Sequence, residues 1–254
     1  MRGKRALVTG GSRGIGAAVA ARLAAAGVST AVHCRSDIAA AEAVVADLPG
    51  DGHSVVTGDI ADPEQVKAFV DRAIGDLGGL DILVNNAGIY YSDQPIASTS
   101  YEQWHSTWRR VIDVNVHGTA NVTWCVVHHL RTRLEGATGG RIINVGSRGA
   151  YRGEPSAPAY GASKAAVHSM TQSLAVCLAP YGIAVAAVAP GFVQTDMTES
   201  LLAGPAGDEI RAQSPFGRVA EPDDIASAVE WLALSDSPWA SGAVIDLNGA
   251  SYLR

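Results

Sequence analysis

Cysteine is scarce in this sequence, and what little there is builds no site. Cys34, Cys125 and Cys177 are odd in number, widely spaced and without a Cys-x-x-Cys pair, which excludes a disulfide framework or a cysteine zinc site and implies a reducing, cytoplasmic setting. Histidine offers no substitute. None of the seven stands in an H-x-x-x-H or H-E-x-x-H pattern, and the adjacent His128 and His129 cannot share a helix face, so no metal is expected. Excess positive charge is missing too: the net charge of −6 leaves no basic footprint for nucleic acid. Long hydrophobic runs are absent. The apolar stretch "GIAVAAVAPGFV" at 182–193 is too short to span a bilayer and contains a proline, so no membrane partner is expected. The basic opening "MRGKRALVTGG" has an apolar run of only a few residues that ends in glycine, and it reads as a strand, not a signal peptide.

What is present is the composition of a folded α/β chain. Of the 254 residues 47% are hydrophobic and 17% charged, and no Pro/Ser/Gly-rich linker divides them, so a single domain over 1–254 is expected. The runs "RALVT", "STAVH", "HSVVTG", "LDILVNN", "GRIINVG", "IAVAAVA" and "AVIDLNG" alternate with alanine-rich stretches of helical length. This repeated βα pattern predicts a doubly wound sheet of about seven parallel strands with helices on both faces. The segment 194–218 is least like a βα unit, and its Gly/Pro interruptions predict short mobile helices forming a small lid over a site.

Two stretches carry chemistry. "ALVTGGSRGIGAAVA" sets a glycine-rich turn between the first strand and the first helix, where backbone N–H groups and the helix dipole can hold a pyrophosphate. Its spacing, Gly10-x-x-x-Gly14-x-Gly16, is not the usual G-x-G-x-x-G, and such a turn can also be only a turn. In "PAYGASKAAV", Tyr160 and Lys164 are i and i+4 on one helix face, where an ammonium can draw a phenol's pKa toward neutrality, although a surface helix with one aromatic and one charge would look the same.

The motifs "TGGSRGIG" at 9–16, "NNAG" at 85–88, Ser147 thirteen residues before Tyr160, "YGASK" at 160–164 and "PGFVQT" at 190–195 stand in an order that resembles the short-chain dehydrogenases/reductases. "PGFVQTDMT" and "GRVAEPDDIASAVEWLA" are similar to bacterial 3-oxoacyl-carrier-protein reductases and their paralogues. The resemblance implies a single-domain Rossmann-like fold and an NADP(H)-dependent oxidoreductase acting between a ketone and a secondary alcohol, with a carbonyl or alcohol of low molecular weight or a 3-oxoacyl thioester as substrate.

It further implies that Gly10, Ser12, Arg13 and Ile15 line the pyrophosphate and adjoining ribose, that Asp59 bonds the adenine amino group beside Ile60, and that Asn86, Ala87 and Gly88 close over the adenosine side. Pro190, Gly191, Val193 and Thr195 would hold the nicotinamide end. Tyr160 would be the general acid/base, Lys164 would favour the phenolate and hold the nicotinamide ribose, Ser147 would orient the substrate oxygen, and Asn115 would carry a water-linked proton path to the lysine. Taken singly, Ser147 also reads as a strand-end cap, Asn115 as a buried amide and Tyr160 as a surface aromatic. Two other functions share these motifs, a sugar-nucleotide epimerase and a catalytically silent NADP-binding sensor or scaffold. Epimerases usually carry a shorter-spaced glycine motif and a longer C-terminal domain, and neither is seen here.

Further expectations concern cofactor, substrate and assembly. NAD-specific relatives usually end the second strand with Asp or Glu, whereas this chain has His33 and Cys34 followed by Arg35 and Ser36. Arg35, with Arg13 approaching from the other side, would meet a 2′-phosphate and favour NADP(H), with Asp37 as the opposing carboxylate. Arg148 and Arg152, beside Ser147, could face the substrate mouth or be solvated loop charges. Arg131, Arg133 and Arg141 are candidates for meeting an acidic carrier protein, although Tyr181 stands where carrier-protein reductases often have arginine and an extra "EGATG" lengthens the preceding loop. Trp104 and Trp108 are i, i+4 and suit packing or an oligomer contact. A homotetramer is expected from the family's pairing of helices around 100–130 and 158–180, although Asn248-Gly249-Ala250 departs from the frequent Asp-Gly-Gly.

Overall fold

The computed structural model describes residues 3–92, 94–133 and 136–254. Seven strands among them fall in the seven apolar runs: β1 Arg5–Val8, β2 Ser29–Cys34, β3 Ser54–Thr57, β4 Ile82–Asn85, β5 Arg141–Val145, β6 Ala184–Pro190 and β7 Val244–Leu247. They form one sheet in the order β3-β2-β1-β4-β5-β6-β7, and every neighbouring pair is parallel. This is the Rossmann-like doubly wound plan expected from the βα alternation. The order reverses between β1 and β4, so the connections leaving those two strands diverge and a crevice opens outside their carboxyl ends.

The strands read as nearly continuous apolar runs because both faces are covered. Successive residues of β1 divide between two cores: Leu7 joins Leu83, Ile142 and Val185 on one face, while Ala6 and Val8 join Val84, Ile143 and Val188 on the other. The first face is covered by α3 (Pro63–Leu77), α5 (Thr119–Thr132) and α6 (Pro158–Leu178), the second by α1 (Gly14–Ala25) and α9 (Pro222–Leu234). Burying a side chain the size of Leu or Ile stabilises by about 1.5–3 kcal/mol. Two buried amides interrupt the first face. Asn85 donates to Asn144 and to Thr123 on α5, and Asn144 donates to Thr171 on α6, each at 2.9 Å. The bonds tie the ends of β4 and β5 to their covering helices, beside the crevice.

The remaining helices are α2 (Ile38–Asp47), α4 (Tyr101–Ile112), α7 (Asp196–Ala203) and α8 (Gly207–Ala212). A π-helical segment, Asp113–Gly118, joins α4 to α5. The two short helices α7 and α8 occupy 194–218, where interrupted helices were expected, and pack Leu202 and Ile210 against Val219 and Phe192. Among the described residues no helix is long and apolar enough to cross a membrane, and no group of three or more His, Cys, Asp or Glu is placed to share a metal ion.

Candidate active site

A cleft of about 650 Å³ lies at the carboxyl ends of the strands. One end is the glycine-rich turn. Asp37 caps α2, Asp62 caps α3 and Ser100 caps α4, but α1 begins at Arg13 with no side-chain cap and no acidic residue in its first turn. Its leading N–H groups therefore lack a side-chain acceptor, the arrangement that receives phosphate oxygens. The turn also needs its glycines. Gly10 (φ +62°) would place a Cβ 2.9 Å from the Ala87 Cα, and a Cβ on Gly16 would meet the Gly10 carbonyl oxygen at 2.2 Å. These observations fit a dinucleotide whose pyrophosphate lies on the α1 N-terminus. Ser12, Arg13 and Ile15 line the cleft as expected.

Asn86 holds the turn in place, since its Nδ2 donates to the carbonyls of Thr9 (3.0 Å) and Gly10 (2.9 Å). Asn86 and Ala87 in turn donate their backbone N–H groups to Thr9 Oγ1 at 3.0 and 3.1 Å. Asn86, Ala87 and Gly88 line the cleft, but the amide of Asn86 is engaged with the protein's own backbone.

At the adenosine side, His33 turns inward. Its Nδ1 accepts from the Gly10 N–H (3.2 Å), so Nε2 carries the hydrogen and donates to the Gly58 carbonyl (2.9 Å). Burial lowers its pKa to about 4, so it contributes no charge at neutral pH. Cys34 is buried, while Arg35 and Ser36 are exposed on the rim. The exposed Asp37 carboxylate lines the cleft and accepts from Ala40 N–H (3.2 Å) as the α2 cap, which leaves it on the rim beside Arg35 and Ser36. Asp59 and Ile60 line the same end, and Asp59 pairs with Arg110 at 2.9 Å. Burial alone would raise the Asp59 pKa, but the Ala61 N–H and Arg110 outweigh it and hold the carboxyl below its usual range. Arg13 forms an exposed ion pair with Asp196 at the start of α7 (3.2 Å), so its guanidinium is engaged across the cleft.

The opposite end gathers Ser147, Tyr160 and Lys164. Ser147 follows β5, and its hydroxyl accepts from Gly149 N–H at 3.0 Å. Tyr160 and Lys164 lie one turn apart on α6, with the ammonium 5.7 Å from the phenol's ring centroid and donating to the Val145 carbonyl at 2.8 Å. Burial pushes the Tyr160 hydroxyl up to about 12; a hydrogen bond with Ser147 opposes the rise, and Glu154 and Tyr90 add to it. The expected pull of Lys164 on the phenol does not prevail here, because desolvation of the phenolate is the larger effect. Burial also lowers Lys164, to about 8. Tyr160 is consequently protonated at neutral pH, the form a general acid needs.

Asn115 lies in the π-helical segment and does not line the cleft. Its Oδ1 accepts from Ile89 N–H (2.9 Å), and its Nδ2 donates to the Ile89 carbonyl and to Ser163 on α6, both at 3.0 Å. A Cβ on Gly88 would stand 3.3 Å from Asn115 Oδ1 and 3.5 Å from Lys164 Nζ, so the amide sits behind Gly88, next to the lysine. Pro190, Gly191, Val193 and Thr195 line the cleft, and Val193 and Thr195 are held by a bridge to Ala220 and by a capping box with Thr198.

Residues 4–206 match the family model described as short chain dehydrogenase. The chain belongs to this family. Cis-4-hydroxycyclohexanecarboxylate dehydrogenase of Sinomonas cyclohexanicum is 37% identical over 247 residues, covering 96% of this chain and 94% of that one. Among solved structures, a short chain dehydrogenase of Burkholderia cenocepacia in complex with NADP is 37% identical, with a TM-score of 0.87 and 98% of each chain covered. A 3-ketoacyl-(acyl-carrier-protein) reductase of Brucella melitensis complexed with NADH is 33% identical, with a TM-score of 0.89 and 99% of each chain covered. This short-chain dehydrogenase is thus an oxidoreductase of a nicotinamide-binding fold.

Some of its cleft residues had no signal in the sequence. Arg110 comes from α4, far along the chain from its partner Asp59, and Tyr90 and Glu154 line the cleft near Tyr160; Phe192, from the PGFVQT run, and Met197 and Leu201, from the 194–218 segment, line it too. Of the two arginines after Ser147, Arg148 lines the cleft, whereas Arg152 is exposed beside it. The arginines proposed to meet a carrier protein are placed elsewhere. Arg141 is buried at the amino end of β5, the far end of the sheet from Ser147, and Arg133 is bound there to Asp81 at 2.5 Å. Arg131 stacks over the Tyr181 ring at 4.4 Å.

Proposed function

We propose that this short-chain dehydrogenase interconverts a ketone and a secondary alcohol with NADP(H), Tyr160 being the acid and base. The observation that carries the reading is the placement of Tyr160 with Ser147 and the buried Lys164 in the same cleft as an uncapped helix N-terminus. When bound, a reduced nicotinamide supplies the hydride to the carbonyl carbon. Ser147 bonds the substrate oxygen and holds it toward Tyr160, whose hydroxyl gives that oxygen its proton as negative charge develops. Lys164 lowers the cost of the phenolate left behind, and Asn115, by fixing Ile89 and Ser163, positions the backbone around the lysine for a water-linked return of the proton. In the alcohol-oxidising direction the same groups run in reverse.

Arg35 on the rim supports NADP(H) over NAD(H), because His33 and Cys34, which end β2, bring no carboxylate to the ribose, while the Asp37 carboxylate in the α2 cap is the group that opposes it. The placement of Arg131, Arg133 and Arg141 away from the cleft favours a free, small carbonyl compound over one presented on a carrier protein. Helices α7 and α8 act as a lid whose Arg13–Asp196 pair bridges the cleft. The test is NADPH consumption with a panel of ketones, followed by kcat/KM for NADPH and NADH in the wild type and Arg35→Ala. Turnover with NADPH preferred, and the preference reduced about tenfold or more in the variant, is expected. Tight NADPH binding without turnover of any ketone would instead favour a silent sensor. Equal use of the two cofactors by the wild type would remove the NADP(H) assignment.

A further inference from the structure

We propose that Arg148 recognises a carboxylate on the substrate, so that the ketone reduced is a keto acid and the alcohol a hydroxy acid; the inference rests on the carbonyl-reducing reading above. Arg148 directly follows Ser147, is 4% exposed and lines the cleft. Ser147 and Arg148 both line the cleft, so an oxygen bonded by one and a group held by the other can belong to one small molecule.

The partners of this buried cation are neutral. Nη1 donates to Ser251 Oγ (2.5 Å), Nη2 donates to Gln213 Oε1 (2.6 Å), and the guanidinium lies 4.9 Å from the centroid of the Phe192 ring. Arg152 donates to the same Gln213 oxygen at 2.7 Å, so two cations share one neutral acceptor. Glu154 is the carboxylate that faces them. It attracts both arginines but hydrogen-bonds neither, and its chain packs on Gly149 and Gly161.

Other arginines of limited exposure are paired with acids: Arg5 and Arg133 with Asp81, Arg110 with Asp59, and Arg22 with Asp223 and Glu230. Arg141 also has neutral partners, the carbonyls of Gly140 and Ser235, but it lies at the far end of the sheet from the cleft. A guanidinium has five N–H donors, of which Arg148 uses two in these bonds, and Glu154, which attracts it, accepts none of the others. The remaining donors can take a carboxylate at the place where the substrate must sit. Tyr90, Phe192, Met197 and Leu201 supply an apolar wall for a short aliphatic or ring-shaped body. The carboxylate is unchanged in the reaction. The carbonyl gains a hydride from the reduced nicotinamide and a proton from Tyr160, and oxidised nicotinamide is released.

The experiment compares kcat/KM for levulinate and 4-oxocyclohexanecarboxylate with kcat/KM for their methyl esters, in the wild type and in Arg148→Met and Arg148→Lys. The wild type is expected to prefer the acids about tenfold or more, Arg148→Met to lose that preference and Arg148→Lys to keep part of it. Calorimetry on the NADP-loaded wild type adds a readout without turnover: cyclohexanecarboxylate binds and cyclohexanecarboxamide binds at least about tenfold more weakly. Esters used as well as acids by the wild type would overturn the inference, as would acids and esters losing equally in Arg148→Met, the result expected if Arg148 only ties the lid and the C-terminal tail together. If no carbonyl compound is turned over, the carbonyl reading fails, and the calorimetric comparison still decides whether a carboxylate is bound.

Discussion

Lys164 is 6% exposed, and burial lowers its pKa from 10.5 to about 8. Between those values the unfolded chain holds a proton that the folded chain has released, so this group makes stability rise with pH from 8 to 10.5. Below pH 8 both states are charged and the whole cost of burying the ammonium stands, about 3 kcal/mol at 1.36 kcal/mol per pH unit. Lys164→Met is therefore expected to be more stable than the wild type at pH 7 while losing activity, and the difference between the two should shrink as the pH is raised to 10. Urea unfolding from pH 7 to 10 checks this; a constant difference would mean that the lysine is not held at a lowered pKa. At this scale the sequence shows the tyrosine–lysine pair plainly, because i, i+4 spacing fixes proximity. It does not show that burial outweighs the lysine's pull on the phenol, nor that Arg13 meets Asp196 across 183 residues, since both follow from how distant elements close around the cleft.

The junction of β1 and α1 depends on backbone that no side chain can enter. A Cβ on Gly16 would meet the Gly10 oxygen at 2.2 Å and the Asn86 amide at 2.6 Å, so Gly16→Ala must open the turn. The expected result is a loss of about 1–3 kcal/mol in stability and a dissociation constant for NADPH raised about tenfold or more. Gly75→Ala, on α3 with nothing within 4 Å of its added Cβ, is the matched control and should be neutral or slightly stabilising. Wild-type NADPH affinity in Gly16→Ala would remove the cradle from the account. The strands were legible because both faces of a parallel sheet are buried, which leaves compact apolar runs. The π-helical turn at Asp113–Gly118 was not, because nothing in the apolar pattern of 100–130 marks the extra residue in the turn that carries Asn115.

For the molecule as a whole, large apolar side chains remain at the surface. Trp124 on α5 and Val176 on α6 are exposed, and Trp239 and Leu253 are exposed in the loop before β7 and the tail after it. Among the described residues β7 pairs only with β6 and so ends the sheet with an open edge. These two regions match the helix pairing and the C-terminal packing that the family resemblance implies, and they support a homotetramer as the proposed assembly. Light scattering at micromolar concentration is expected to give about four times the chain mass of 26.2 kDa. A monodisperse monomer would remove the assembly but leave the cleft intact, because every group assigned to it comes from one chain.

The proposed reaction turns on a proton from Tyr160, and Tyr160→Phe removes that hydroxyl while leaving the ring that packs edge-on against Tyr90 at 5.0 Å. The decisive measurement is kcat of this variant with the best ketone of the panel, taken together with its dissociation constant for NADPH. The expected result is a fall in kcat of about a hundredfold or more, with NADPH affinity within about twofold of the wild type. Retention of more than about a tenth of the wild-type kcat would contradict it, because a positioned general acid contributes at least about a hundredfold.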